Sequence, residues 1–424
     1  MRLDDALADP RRYERELERL AARLPPRRLR GVTQDGVPIS VLTAERGRVA
    51  RLMARAVAEG TYRTTPAVVR LARLDKERAL FVFSAADLVL HGVIAGLIAE
   101  ASEPRLSTRV FSYRRGRSSL AAVRQLARAA RRHAAARPDP RERGLYVVHC
   151  DVESFGDSVP LAPDAPLWAA LRGVLGDGQT WPLVEACVRP PIAADGPAEA
   201  WRGLPTGSPI VPPIANLYLG PVDRALEALP GGFYVRYGDD LLFAHAEADV
   251  ADAALERIDA TLAALRLRVN PKKRRLLFWN GAGRPSGAWP GATSIDALGL
   301  RVAWDGTIGL PRRKLREVLV DARARAVRSR ALLPAGARGP AVAAAVAAAL
   351  DPSSPFAHAY AGLLRAVVTD RRQLAQLDHL LALAVAAAAG ERPGVRAFRE
   401  APPRQLRAWG LPSLVDARNR WRTR

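Results

Sequence analysis

The chain has 424 residues, 49% of them apolar, which is room for two or three domains with real cores. Its net charge is +22, a field that selects a polyanion as partner and ranks nucleic acid ahead of a membrane surface or an acidic protein. A base-composition bias would explain why only Lys76, Lys272, Lys273 and Lys314 are lysines, but not the excess of basic over acidic residues. The two cysteines, Cys150 and Cys187, form no C-x-x-C pair, which excludes a zinc finger or a disulfide framework and fits a reduced cytoplasm. No apolar signal core opens the chain, and the most apolar stretches, 341–350 and 380–389, are Ala-rich and too short to span a bilayer. The expectation is a cytoplasmic protein with no membrane partner.

In chain order, helical periodicity covers 1–24 and ends at Pro25-Pro26, and a second helix at 45–59 closes on Gly60. Residues 66–83 read as a hairpin around a polar turn at 75–77. Helices follow at 86–100 and 118–136, the second preceded by the basic loop 114–117, and 137–143 is a Pro-rich charged linker. Residues 145–150 form a β-rich run that stops at Asp151; 166–190 reads as a helix, 191–202 as a loop, and 216–229 as a helix. Two apolar strands, 233–237 and 241–244, flank Gly238-Asp239-Asp240; a helix covers 248–265. A second hairpin joins 298–304 to 307–310 through Asp305-Gly306. From Arg312 the chain is helical and Arg-rich, broken at Pro334, Pro352, Pro393 and Pro402-Pro403. Strands and helices mix without βαβ regularity, so the fold class is α+β.

The chemistry concentrates on three carboxylates. Asp239 and Asp240 sit side by side at a turn, where like charges repel unless a divalent cation joins them; the alternative is a solvated turn. A strand that delivers Asp151 beside that turn makes a three-carboxylate cluster able to hold two metals about 3.5–4 Å apart. Adjacent strand residues point to opposite faces, so Asp239 pairs with Asp151 and Asp240 is expected to leave from the other face. His149 and His245 flank the carboxylate strands and read as packed residues.

Several segments, in this order, resemble the reverse-transcriptase palm. Asp151-Val-Glu-Ser-Phe-Gly-Asp-Ser-Val159 is similar to the first aspartate motif; Gly203-Leu-Pro-Thr-Gly-Ser-Pro209, running to Ala215-Asn216, resembles the G-x-P-Q-G-S-P motif; Tyr237-Gly-Asp-Asp240 resembles the Y-x-D-D box. Asn270-Pro-Lys-Lys-Arg274 and Leu298-Gly299 resemble the lysine motif and the primer-grip turn. Upstream, Lys76-Glu-Arg78 is similar to the fingers hairpin that grips the triphosphate, and 109–118 resembles a G-F-R-P-G-R-S segment of bacterial group II intron-like enzymes.

The resemblance covers roughly 57–330 and implies a right hand: a helical N-terminal segment at 1–56, fingers at 57–144, palm at 145–310, and a helical thumb and C-terminal extension at 311–424. It implies an RNA-directed DNA polymerase with Asp151, Asp239 and Asp240 catalytic and two Mg²⁺ (or Mn²⁺) ions held by Asp151, Val152, Asp239 and Asp240. Nucleotide contacts fall on Lys76, Arg78, Val152, Phe155, Gly156, Thr206 and Gly207. Nucleic-acid contacts fall on Arg114, Arg115, Arg117, Lys272, Lys273, Arg312, Arg313 and Lys314. The implied partners are an RNA template, a DNA or RNA primer, dNTPs and an associated non-coding RNA. No His-Asn-His or zinc endonuclease pattern follows, which fits a stand-alone bacterial enzyme of the defence-associated type.

Three positions depart from the family pattern. Gly156 stands where an aromatic residue normally excludes a ribose 2′-hydroxyl, Thr206 replaces a glutamine, and Ala297 replaces the Phe before the primer-grip Leu-Gly. They keep open a polymerase with untemplated or ribonucleotide-tolerant synthesis. A non-catalytic nucleic-acid-binding module is the third reading, and the retained carboxylates weigh against it. If the strand bulges at Gly156, Phe155 can fill the vacant place instead.

Overall fold

The structure, a computed structural model, describes residues 2–31, 33–73, 77–137, 139, 143–193, 203–331, 334–390 and 394–422. It divides into two compact units: Met1–Ser119 with Tyr146–Leu276, and Leu120–Leu145 with Leu277–Arg424.

In the first unit, helix α1 (Pro10–Arg23) begins on Asp9, whose carboxylate accepts from Arg11 N–H. Strands β1 (Val68–Arg73) and β2 (Glu77–Val82) form the antiparallel hairpin expected at 66–83, with Val68 opposite Val82. Its turn lies outside the described residues, and so does the loop expected at 191–202 from residue 194 on. The inner face of the hairpin, Val69 and Phe81, packs with Ala67 and Phe83 into one buried cluster. Helix α2 (Ala85–Ser102) starts at a reciprocal cap: Ser84 Oγ accepts from Asp87 N–H at 3.1 Å and donates to Asp87 Oδ2 at 2.7 Å. It is long and apolar enough to cross a bilayer, yet 61% of that window is buried inside the protein. Helix α1 docks on it: Glu16 fills the space above Gly92, where any β-carbon would meet the carboxylate at 2.1 Å.

Strand β3 (Gly144–Asp151) carries the first aspartate, and α3 (Phe155–Ser158) follows it directly. The single helix expected at 166–190 is two, α4 (Pro166–Leu175) and α5 (Trp181–Val188), because Gly176 at φ 77 ends the first and Pro182 opens the second. The helix expected at 216–229 is also split, into α6 (Val211–Tyr218) and α7 (Gly220–Glu227); Pro221 has no N–H to continue α6. Strands β4 (Phe233–Tyr237) and β5 (Asp240–His245) form the second hairpin, with β5 between β4 and β3, both antiparallel to it. Helix α8 (Ala248–Ala264) covers β5.

The second unit holds a strand that the sequence reading passed over, β6 (Arg275–Asn280, its first two residues still in the first unit), paired in parallel with β7 (Gly291–Ala292). The basic run before β6 masks its alternation. A three-stranded antiparallel sheet follows, β8 (Ser294–Ala297), β9 (Leu300–Ala303) and β10 (Ile308–Gly309), with β9 central. Leu298 and Gly299 make the β8–β9 turn at φ 52 and 76, so β9 begins two residues later than expected. Helices α9 (Arg312–Ala331), α10 (Ala335–Leu350) and α11 (Arg371–Ala389) pack on one another. Gln373 at the start of α11 brackets Leu310, accepting from its N–H at 2.7 Å and donating to its carbonyl at 2.9 Å.

Candidate active site

The β4–β5 turn is shorter than the sequence suggested. Only Gly238 and Asp239 lie in it, with Tyr237 opposite Asp240, and Gly238 takes φ 66, the first central position of a type II′ turn. Asp240 is therefore a strand residue, and the register sets it directly opposite Asp151. Residues directly opposite share a face, so Asp240 does not leave from the other side as expected; two carboxylates confront each other there, a repulsive pair. Each has a counter-partner. His149, two residues from Asp151 on the same face, places Nε2 2.6 Å from Asp240 Oδ1. Lys273 places Nζ 2.8 Å from Asp151 Oδ2. His149 is thus bound to the acidic cluster rather than merely packed, whereas His245 is a buried strand residue that accepts from Glu247 N–H at 3.0 Å.

Asp239 is the perturbed carboxyl. Burial, and then the negative charge of Asp151, push it up to about 6. The two segments interlock through backbone: Val152 N–H donates to Asp239 O at 3.2 Å, and Asn270 N–H donates to Asp151 O at 2.7 Å. Asn270 Oδ1 accepts from Lys272 N–H at 3.1 Å, an Asx turn that aims Lys273 at Asp151. The four successive cations are sorted by this turn: Lys273 is on Asp151, Arg274 forms two 2.9 Å contacts with Asp259, and Lys272 and Arg275 are exposed.

Beneath the turn lies a buried polar network absent from the sequence reading. Arg236 is fully buried, and Nε and Nη2 each donate to Asp223 at 2.7 Å. Its Nη1 donates to Gly238 O at 3.1 Å, fixing the turn that carries Asp239. Asn216 completes the network by accepting from Arg236 and donating to Ser112 O. A buried guanidinium with this many acceptors is fully paired, as burial demands.

The Gly203–Pro209 motif meets the first aspartate motif here. Gly203 lies so close to the Gly156–Asp157 backbone that a β-carbon would sit 2.1 Å from Gly156 O. Thr206 Oγ1 would be 3.4 Å from a β-carbon at Gly156, so two of the positions that depart from the family pattern are neighbours. Phe155 is 7% exposed in α3, turned into the core, and no bulge brings it forward. Thr206 O accepts from Phe81 N–H, and Gly207 at φ 109 approaches Phe81 O, tying the motif to β2.

A groove of about 980 Å³ opens along this motif, with Phe81, Phe83 and Ile39 on its floor and Arg19, Arg23, Arg27 and Arg28 on its rim. None of those arginines stood out in sequence, because a charged helix face reads as solvated. Of the residues expected on nucleotide phosphates, Lys76 and the side chain of Arg78 lie outside the described residues. Arg114 is spent inside its own loop, 7% exposed and paired with Glu103. Arg117 donates to Thr108 O at 2.5 Å, while Arg115 is exposed. In the second unit Arg312 and Arg313 are exposed; Lys314 instead donates to Gly299 O at 2.7 Å and lies over the Tyr360 ring.

Residues 78–302 match the sequence model of the reverse transcriptases, described as RNA-dependent DNA polymerases. The chain belongs to the reverse-transcriptase family. That family's members are RNA-dependent DNA polymerases, and this reverse transcriptase has the mixed α and β fold of a polymerase. No curated protein matches it. Among solved structures it is similar to a C-terminally truncated apo telomerase from Candida tropicalis, at 12% identity and TM-score 0.43, covering 58% of this chain and 55% of that one. It is also similar to Candida albicans telomerase with a fragment of telomeric RNA, at 10% identity and TM-score 0.44, covering 84% and 62%. The chain thus spans 55% and 62% of the length of these telomerases, and likeness at this level carries no functional argument.

Reverse transcriptases generally use divalent metal ions. Among the described residues no three His, Cys, Asp or Glu side chains converge as a ready-made metal cluster. Asp240 meets His149 Nε2 at 2.6 Å. Asp151 and Asp239 are a crowded pair of hard oxygen donors, and burial, then the charge of Asp151, raises the Asp239 carboxyl. That donor chemistry suits a divalent cation.

Proposed function

We propose that this reverse transcriptase extends a DNA or RNA primer on an RNA template with dNTPs, at a two-metal centre built on Asp151 and Asp239 and completed by Asp240. The observation that carries the reading is the crowding of Asp239, in the β4–β5 turn, against Asp151 at the end of β3, where burial and the charge of Asp151 together raise the Asp239 carboxyl. Mg²⁺, or Mn²⁺ in its place, would lie against these carboxylates and the Val152 backbone, and when bound would activate the primer hydroxyl and neutralise the leaving pyrophosphate. Lys273 holds Asp151 in place and supplies positive charge beside it. Residues 57–144 serve as fingers, 145–310 as palm and 311–424 as helical thumb and C-terminal extension, and the arginine-rimmed groove beside Thr206 accepts template strand. Primer extension on an RNA template tests this: Asp151→Asn and Asp239→Asn each lose activity by roughly a thousandfold or more, a loss of several kcal/mol of charge stabilisation. Unchanged extension by Asp151→Asn would overturn the assignment.

A second reading, ribonucleotide-tolerant synthesis, is favoured by Gly156 itself, which offers no side chain, and a β-carbon there would meet Thr206 Oγ1 at 3.4 Å. A role in phage defence and an associated non-coding RNA rest on the resemblance alone. Plaque counts on hosts carrying wild type or Asp239→Asn, and sequencing of co-purifying RNA, test those two.

A further inference from the structure

One large aromatic side chain near the Asp239 turn has no packing role that explains its conformation. Tyr113 is 58% exposed, and its backbone is left-handed, at φ 55. Bulky residues are rare in that region, where glycine is the natural occupant, and such strain concentrates at ligand sites. The surrounding loop is rigid. Phe111 N–H donates to Arg236 O at 2.9 Å, and Arg236 N–H donates to Arg109 O at 3.0 Å, so the loop is stitched to β4. Arg114 Nη1 bonds the carbonyls of Ser107 and Val110, and Arg117 lies over the Phe111 ring. Val110, Phe111 and Ser112 are buried. The cradle thus spends its neighbours on itself and holds Tyr113 out in solvent.

What Tyr113 is held against is specific. Its ring lies 6.4 Å from the Tyr237 ring, tilted by 38°, and its hydroxyl would be 3.7 Å from a β-carbon on Gly238. Tyr237 ends β4 and Gly238 opens the turn, just before Asp239. Asp239 is among the charges that bear on its phenol. A flat, half-exposed ring next to the reacting carboxylates, with exposed Arg115 two residues on, is the chemistry that receives a nucleotide: a π-face for a base and a cation for a phosphate.

We infer that Tyr113 is a substrate-contact residue, the stacking face for a nucleotide at the Asp239 turn. This rests on the polymerase reading of Asp151 and Asp239. The nucleotide is either the primer terminus or the incoming triphosphate, and the chemistry of the contact is shared by both.

The test uses the full chain and a dideoxy-terminated primer on an RNA template, so that no turnover occurs. In one arm 2-aminopurine is the primer-terminal base; in the other it is the base of the added deoxynucleoside triphosphate. Stacking on Tyr113 quenches its fluorescence in one of the two. Tyr113→Phe keeps the quench, and Tyr113→Leu and Tyr113→Gly lose it, with affinity in that arm weakened by about five- to a hundredfold. Tyr113→Gly also relieves the left-handed backbone, so its Tm equals or exceeds that of wild type while binding falls. A merely structural tyrosine predicts the reverse, with Tm falling and affinity following it. Equal quenching and affinity in wild type, Leu and Gly variants, or no quench in either arm of wild type, overturns the inference. Failure of the polymerase reading appears elsewhere, as primer extension by wild type that survives in Asp239→Asn.

Discussion

Asp151 and Asp239 show how a charged pair can serve function at the cost of stability. A half-buried carboxyl whose folded-state pKa is raised above its ordinary value opposes folding at neutral pH, because the folded chain holds the charge in a worse place than the unfolded chain does. Asp239→Asn removes that charge. The variant should therefore unfold at a higher temperature than wild type in chelator at pH 7, by up to about 3 kcal/mol, while losing primer extension. A thermal melt showing Asp239→Asn less stable than wild type would count against the crowding argument. Both aspartates were legible in sequence from their place at strand ends. Their partners were not: His149 reads as an alternating strand residue, and Lys273 as one of four cations, until the register and the Asx turn assign them. Gly156 is the second residue-scale case. With Phe155 buried and only Thr206 Oγ1, 3.4 Å away, near a β-carbon at 156, no aromatic side chain stands where one would exclude a 2′-hydroxyl. Wild type should discriminate weakly between matched dNTP and rNTP, and Gly156→Phe should raise the preference for dNTP about tenfold or more. Phe155→Ala should lower stability by about 3–5 kcal/mol without opening selectivity further. Strong deoxynucleotide preference lost only in Phe155→Ala would return the gate to Phe155.

At the scale of elements, hairpins and long helices were readable because they carry period-two or 3.6-residue patterns and end on Gly, Asn or Asp. The breaks inside 166–190 and 216–229 were missed because apolar periodicity continues across them; Gly176, Pro182 and Pro221 decide there, and each acts on backbone rather than on pattern. The strand β6 and the Arg236 network were hidden for a related reason, since the fold pairs residues far apart in sequence. Helix α2 gives an element-scale prediction. His91 is 1% exposed, its Nδ1 2.9 Å from Ser208 Oγ and its ring edge-on to Phe83. Burial pulls it down to about 4 from its usual 6.5. Between those values the unfolded chain binds a proton that the folded chain refuses. Stability is thus whole above pH 6.5 and falls as pH drops toward 4, by about 1.4 kcal/mol per unit at most. Denaturant unfolding across this window should show that slope in wild type and a shallower one in His91→Gln; equal slopes would sink the assignment.

The whole molecule carries +22, and where that charge lies decides what it does. Arginine is distributed on both units. In the first, Arg23, Arg27 and Arg28 are exposed along the rim of the groove whose wall includes Thr206 and Gly207. In the second, Arg312, Arg316 and Arg323 are exposed at helical spacing on α9, with Val320 and Val327 exposed on the same stripe. An apolar residue between cations on an outer face suits a nucleic-acid duplex, whose grooves offer sugar edges between phosphates. Composition pointed to such a partner, but not to the division of contacts it would make, because a solvated helix and a phosphate-tracking one have the same sequence. Deleting 312–424 is a poor test, since Gln373 and Thr369 hold β10 and the second unit would lose its frame. Charge removal is cleaner. Affinity of wild type for a primer–template hybrid should fall by about 10³–10⁵ between 50 and 200 mM salt if six to ten phosphates are neutralised. Each triple Arg→Gln variant, one on the rim and one on α9, should reduce the slope of log affinity against log salt by about 2–3, at roughly 0.7–0.9 per phosphate released. The rim variant should do so with single-stranded RNA as well; the α9 variant should do so mainly with the hybrid. If both variants keep the wild-type slope, the charge is spread as a diffuse field and neither surface is a nucleic-acid track.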